Sequence, residues 1–268
     1  MKKIKIFQIY YNADSYKLIS PEFTPFDNSK PKDGSWYEYS AIREIIKKND
    51  FEENDFVGIF SPRFHEKTGL DANHVIKVIQ DSDKDIISFS PKIFMSSLFL
   101  NSYLQGEMRH PGFLNVSQLL LNELNINIDL KTIIQDRSRI IFSNYFVAKF
   151  SLWKKWFEYT EKVYDISKQN NSKISNLLNT STVHRGDIDS YQFKVFFIER
   201  FISIFLELNE IDAYIGSDIN KYSYANSQER DLLPWAIIMD SLKSQYIKTK
   251  KIDYISIYEN TKKQFSNF

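Results

Sequence analysis

At 268 residues, with 43% hydrophobic and 26% charged side chains, the chain has enough apolar content to exclude a mainly disordered polymer, and its length suits one α/β domain carrying additions. Lys and Arg total 35 against 34 Asp and Glu, a net charge of +1. That excludes a polyanion-coating surface of the kind general nucleic-acid binding uses, so any basic site is local. The absence of cysteine removes disulfides, thiolate zinc sites and cysteine nucleophiles together, and fits a reducing cytoplasm.

Residues 1–11 are basic and then apolar, but Gln8, Asn12 and Asp14 interrupt a signal-peptide core, so the segment is taken as mature sequence. Ile4, Ile6 and Ile9 predict a buried first strand over 4–11. A loop over 21–34 follows, then a helix over 36–48 with Tyr39, Ile42, Ile45 and Ile46 on one side. Residues 56–60 predict a strand stopped by Ser61-Pro62. Residues 69–80 predict a helix capped by Asp71, and 86–89 a strand ended by Ser90-Pro91. This alternation implies a mostly parallel sheet with covering helices, whose ligands bind beyond the C-terminal ends of the strands. Asn12, residues 61–67 and Ser90-Pro91 then share one rim. Helical spacing around a break at 106–112 spans 101–125, a strand-like run covers 140–149, and a long amphipathic helix carries Leu152, Trp153, Trp156, Phe157 and Val163. The polar stretch 168–189 is expected to be mobile without ligand. Helices are expected at 191–208, 232–246 and 252–265. No stretch approaches the ~18 uninterrupted apolar residues of a spanning helix. The division expected is 1–210 for the main domain and 211–268 for a helical extension packed on it.

Residues 61–69 hold the densest polar cluster, between a strand and a helix. Arg63 and Lys67 there suit a diphosphate, with local ion pairing as the alternative. No Gly-rich phosphate loop is present. The four histidines, 65, 74, 110 and 184, have no zinc spacing. His110, in a glycine-bounded break, either binds an acceptor hydroxyl or caps a turn. Asp81, Asp83 and Asp85, and Asp187 with Asp189, form Asp-x-Asp pairs that either hold a divalent metal or are solvated loop, so metal dependence stays open. Glu199 and Arg200 interrupt an aromatic helix. Glu199 is either structurally paired or faces a cleft, where burial would raise its pKa and fit it to take a proton from a hydroxyl.

The order of several blocks resembles bacterial glycosyltransferase domains with a GT-A-like fold, of the capsule and lipopolysaccharide O-antigen assembly type. The blocks are the strand at 4–11, Trp36-Tyr37-Glu38-Tyr39, Val57-Gly58-Ile59-Phe60-Ser61-Pro62-Arg63-Phe64, Asp85-Ile86-Ile87, Ser143-Asn144-Tyr145-Phe146-Val147-Ala148-Lys149 and Glu199-Arg200-Phe201. The likeness covers roughly residues 1–210. It implies a GT-A-like, Rossmann-like sheet and transfer of a sugar from a nucleotide-sugar donor to a glycan or lipid-linked acceptor. Arg63, Asn144, Lys149 and Glu199 match its motifs. No Asp-x-Asp follows a strand, so Arg63 and Lys67 are the expected cations.

The expectation is therefore a bacterial surface-polysaccharide glycosyltransferase, cytoplasmic or peripheral at the inner membrane. Tyr10, Tyr11, Asn12, Arg63, Lys67 and Asn144 are its candidate donor site, and Glu199 and His110 its candidate catalytic groups. The alternatives are a non-catalytic sugar-nucleotide or glycan-binding protein on the same fold, and a metal-dependent phosphoesterase using His65, His110 and acidic loops. No RNA-reading motif is present.

Overall fold

Strand β1 (Ile4–Tyr10) alternates its side chains between two apolar layers. Phe7 and Ile9 enter one core and Ile6 the other, as the two-residue period of a strand requires. The computed structural model describes residues 2–90, 92–184, 189–219 and 231–265. A six-stranded sheet is built around β1 from β2 (Thr24–Asp27), β3 (Phe56–Phe60), β4 (Ile86–Ser88), β5 (Phe146–Lys149) and β8 (Tyr214–Ile215), in the order β2-β1-β3-β5-β4-β8. A separate antiparallel hairpin pairs β6 (Ser181–His184) with β7 (Asp189–Gln192).

The sheet is mostly parallel: β2, β3 and β8 run with their neighbours, and only β5 opposes the strands beside it. All five residues of β3 are buried, the mark of a central strand covered on both faces. Gly58 lies between β1 and β5, where a Cβ would come within 2.7 Å of Val147. The missing side chain makes room for Val147. The expected loop over 21–34 contains β2, whose Pro25 is tolerated because the strand lies at the sheet edge.

Helices α1 (Ala13–Tyr16), α2 (Glu38–Lys48), α3 (Phe64–Thr68), α4 (Ala72–Asp81), α5 (Ile93–Leu98), α6 (Ser102–Arg109), α7 (Phe113–Glu123), α8 (Phe150–Ser167), α9 (Lys173–Leu178) and α10 (Phe193–Leu208) follow the strands. One core unites the sheet with α2, α7, α8 and α10. The other packs α3 and α4 on the opposite face through Phe64, Val75 and Ile79. Asp71 caps α4 by accepting the His74 N–H at 2.7 Å, as expected from the sequence. Helix α10 is apolar nearly all round and buried along its length, which is how a helix inside a core reads.

Two terminal helices, Leu233–Thr249 and Asp253–Phe265, pack on each other, and the first also packs on α5. The chain beyond residue 210 is more than a helical extension, since β8 pairs with β4 inside the main sheet. The stretch 168–189, expected to be mobile, contains α9 and the first strand of the hairpin.

Candidate active site at the sheet edge

The strand order places β2 on one side of β1 and β3 on the other. The chain thus reverses direction across the sheet beside β1, and such a reversal leaves a crevice outside the C-terminal strand ends. Because β5 runs against its neighbours, its start arrives at the same edge as the ends of β1, β3 and β4. A cavity of about 410 Å³ opens at this edge, within the size range of small-molecule sites.

Six segments distant in sequence each supply a polar or ionisable group to its wall: Tyr11 after β1, Glu38 at the start of α2, Lys67 in α3, Lys92 before α5, Asn144 before β5 and Glu199 in α10. Trp36, Tyr37, Tyr191 and Phe196 complete it with aromatic surface. The Tyr37 and Tyr191 rings meet edge-on, with centroids 4.8 Å apart.

The backbone is unusual where it meets the cavity. Tyr37 sits at φ 47°, ψ −120° before the first turn of α2, and its carbonyl accepts a hydrogen bond from Asn28 Nδ2 at 3.2 Å. Ser143 and Asn144 adopt φ of 62° and 52°, left-handed values that Asn tolerates better than most side chains. These two residues cut the expected strand at 140–149 down to β5. The turn also aims the Ser143 N–H at Glu199 Oε1, 3.1 Å away. Asn144 is 6% exposed, and its Oδ1 has no hydrogen-bond partner among the described residues. A buried acceptor in that state costs free energy until a donor meets it.

The two carboxylates differ in electrostatic setting. Burial pushes the Glu38 carboxyl above its ordinary value and the Glu199 charge adds to this, against the opposing pull of Lys67 and the Tyr11 phenol, which donates to Glu38 Oε1 at 3.3 Å. Burial also pushes Glu199 up, but Arg200, Lys92, Lys67 and the Ser143 N–H outweigh it and hold this carboxyl below the usual range. The expectation that burial raises Glu199 is corrected: Glu38 is the raised carboxylate. Burial pushes the Lys92 ammonium down while Glu199 supports its charge, and burial with the adjacent Glu38 keeps the Tyr11 phenol protonated.

Behind this wall, the Lys194 ammonium lies 4.8 Å from the Trp36 ring centroid and donates to Ser35 Oγ (3.0 Å) and Asn179 Oδ1 (2.7 Å). It fixes the loop that carries Trp36 and Tyr37. Burial lowers its pKa to about 8.

Of the residues singled out by sequence, Tyr11, Lys67, Asn144 and Glu199 meet in the cavity. The others are placed elsewhere. The Arg63 guanidinium is engaged by Glu66, its Nε donating to Oε2 at 2.8 Å, and is not part of the cavity wall. Tyr10 packs its ring on Tyr16, centroids 5.0 Å apart, and Asn12 caps α1 by accepting the Ser15 N–H at 2.8 Å. His110 is 2% exposed and stacks on Phe196 with centroids 3.6 Å apart, behind the wall rather than in it. His65 stacks on Phe23 and contacts the Leu70 carbonyl through Nδ1 at 2.6 Å, so the two histidines of the phosphoesterase reading are not brought together.

Lys149 forms an ion pair with Asp85 at 2.8 Å, at the far end of β5 from the cavity. Asp81, Asp83 and Asp85 precede β4, whereas the cavity lies beyond its other end. Asp187 lies outside the described residues, and Asp189 begins β7. Among the described residues no group of three His, Asp or Glu side chains converges as a metal site. Sequence reasoning missed Glu38, Lys92 and Tyr191 as wall residues. The available signal was position, since Glu38 opens a helix after a loop and Lys92 follows the Ser90-Pro91 rim. Comparison of the chain with protein-family models, with curated proteins and with solved structures returns no match.

Proposed function

We propose that this cavity binds a nucleotide sugar and that the chain is a glycosyltransferase on a GT-A-like form of its α/β fold, passing the sugar to a glycan or lipid-linked acceptor of a bacterial surface polysaccharide. The observation carrying this reading is the convergence of Lys67, Lys92, Glu38, Glu199 and the buried, unpartnered Asn144 Oδ1 at the topological reversal of a mostly parallel sheet.

Each part suits one portion of such a substrate. The two lysines meet the diphosphate and the charge that develops on the leaving phosphate. Asn144 Oδ1 accepts from a sugar hydroxyl or a base N–H. The Tyr37 and Tyr191 rings offer the apolar flank on which a sugar or base packs. A carboxylate receives the proton of the attacking hydroxyl. The Asp-x-Asp pairs that precede β4 do not fit a metal at this cavity, and the cations its described wall supplies are the lysines.

A lipid-linked acceptor would set the chain in the cytoplasm against the inner membrane. Trp235, Ile237 and Ile238 are exposed on a terminal helix, and among the described residues no helix is long and apolar enough to cross a membrane.

The test is a thermal-shift screen against nucleoside diphosphates and their sugars, with and without Mg²⁺ or Mn²⁺. A donor at 100 times its Kd stabilises the chain by about 2.7 kcal/mol. A screen in which no nucleoside diphosphate or sugar nucleotide raises Tm would overturn the reading. Binding without any nucleoside diphosphate release in the presence of acceptors would leave a binding protein.

A further inference from the structure

We propose that Glu38, at the first turn of α2 and in contact with the Tyr11 phenol, is the catalytic residue that takes the proton from the acceptor hydroxyl, while Glu199 is a positioning residue that stays an anion and holds the lysines in place. This rests on the glycosyl-transfer reading of the same cavity.

The geometry separates the two carboxylates. Glu199 is already engaged, accepting the Ser143 N–H at 3.1 Å and neighboured by Arg200, Lys92 and Lys67. A carboxylate so surrounded by positive partners is a poor proton acceptor. Glu38 has the Tyr11 hydroxyl at 3.3 Å as its hydrogen-bonding neighbour and lines the cavity from the turn at Tyr37. The groups that face it are Tyr11 from the end of β1, Lys67 from α3 and Glu199 from α10. Of these, the loss of water and Glu199 raise its pKa while Lys67 and Tyr11 lower it, and the net direction is upward. The carboxylate of raised pKa holds a proton more strongly than the depressed one, so once ionised Glu38 is the better acceptor of the two.

In the step itself, the acceptor O–H gives its proton to a Glu38 carboxylate oxygen as the acceptor oxygen forms its bond to the anomeric carbon. The bond from that carbon to the diphosphate oxygen breaks, and its electron pair leaves on the phosphate, beside Lys67 and Lys92.

The experiment uses the full chain labelled with [δ-¹³C]glutamate and titrated by NMR, Glu38 being identified by the signal lost in Glu38→Gln. In parallel, nucleoside diphosphate release is followed across pH for the sugar nucleotide giving the largest thermal shift. Glu38 is expected to titrate above the ordinary carboxylate range, at the same pH as the acid limb of kcat/KM. Glu199→Gln should move both to lower pH, a coupling that a merely structural role for either residue would not produce. Glu38→Gln should retain the thermal shift and lose about 10²–10⁴-fold in kcat. Turnover by Glu38→Gln within about threefold of the parent chain, or Glu38 titrating at or below an ordinary carboxylate, overturns the assignment and leaves glycosyl transfer standing. Absence of both nucleotide binding and release in the parent chain removes the transfer reading, and this assignment with it.

Discussion

The cavity and the packing of the terminal helices use the same chemical parts to opposite ends. On the first terminal helix Lys243 is fully buried and donates to the carbonyls of Ser96 and Phe99. Asp240 accepts the Arg137 N–H at 3.0 Å, and Tyr258 of the second helix donates to the Leu98 carbonyl at 2.8 Å. The polar groups there close on backbone partners, most of them carbonyls at the C-terminal end of α5. At the cavity, the buried Asn144 acceptor is unpartnered among the described residues, Glu38 is held by one long hydrogen bond, and three non-glycine residues, Tyr37, Ser143 and Asn144, sit at positive φ. Satisfied polar groups make a scaffold. On the proposed reading, the unpartnered Asn144 acceptor and the weakly held Glu38 await a ligand, and the strained turns are where that arrangement costs stability.

The contrast is best broken at Lys67. Lys67→Met should weaken nucleoside diphosphate binding about 100-fold, the worth of a charge-assisted hydrogen bond, while Tm of the free chain stays within a degree or two. Calorimetric titration and an unliganded melt check both halves. An unchanged Kd would put the diphosphate elsewhere.

The next effect belongs to the scaffold. Burial holds Lys243 at about 8 in the folded chain against 10.5 for the free side chain, and Lys194 is likewise lowered to about 8. Between these values the unfolded chain carries more protons than the folded one, so stability rises as pH rises from 8 towards 10.5, and the penalty is fully present below 8. Unfolding free energies from urea titration should show a gain from these two lysines on the order of 4 kcal/mol from pH 8 to pH 10, about 2 kcal/mol each. Lys243→Met should flatten about half of that slope. A slope unchanged in that variant would show that Lys243 is not the group titrating.

A smaller change is expected from Asn144→Gly, which keeps the left-handed turn but deletes the open acceptor. Ligand affinity should fall about tenfold, with unfolding free energy within about 0.5 kcal/mol of the parent. Equal losses of stability and binding would mean that the side chain supports the fold. The smallest effect is expected at Arg63. Its ion pair with Glu66 is partly solvent-exposed, so Arg63→Ala should leave Kd unchanged and alter stability by less than about 1 kcal/mol.

Most of the sheet was legible because buried strands and amphipathic helices leave different periods. Phe56–Phe60 and the helices after Asp71 and Lys149 show this. β2 was not legible, since an edge strand needs no continuous apolar run and its Pro25 mimics a loop. Nor was the shortness of β5, because apolar residues at 140–142 imitate a strand up to a turn that only the positive φ of Ser143 and Asn144 reveals. At the site, Lys67, Asn144 and Glu199 could be named from rim position and from charge inside an aromatic helix. Arg63 and Lys67 differ by four residues, and sequence had no means of telling that the first turns to Glu66 while the second lines the cavity. Glu38 stood in the Trp36-Tyr37-Glu38-Tyr39 block and at a helix start, but its electrostatic setting comes from α10 and α3, more than 150 residues downstream in the first case, and that setting leaves no local pattern.

The reversed direction of β5 has a consequence for how the molecule comes apart. By delivering its first residues to the edge where its neighbours finish, it makes the hollow a joint product of chain from Tyr11 to Glu199. No fragment that stops short of Glu199 carries the whole of that hollow, and no local fraying at the terminal helices need open it. An occupant would therefore act as a keystone: it could leave the folded chain by itself, but the central sheet could not come apart without releasing it.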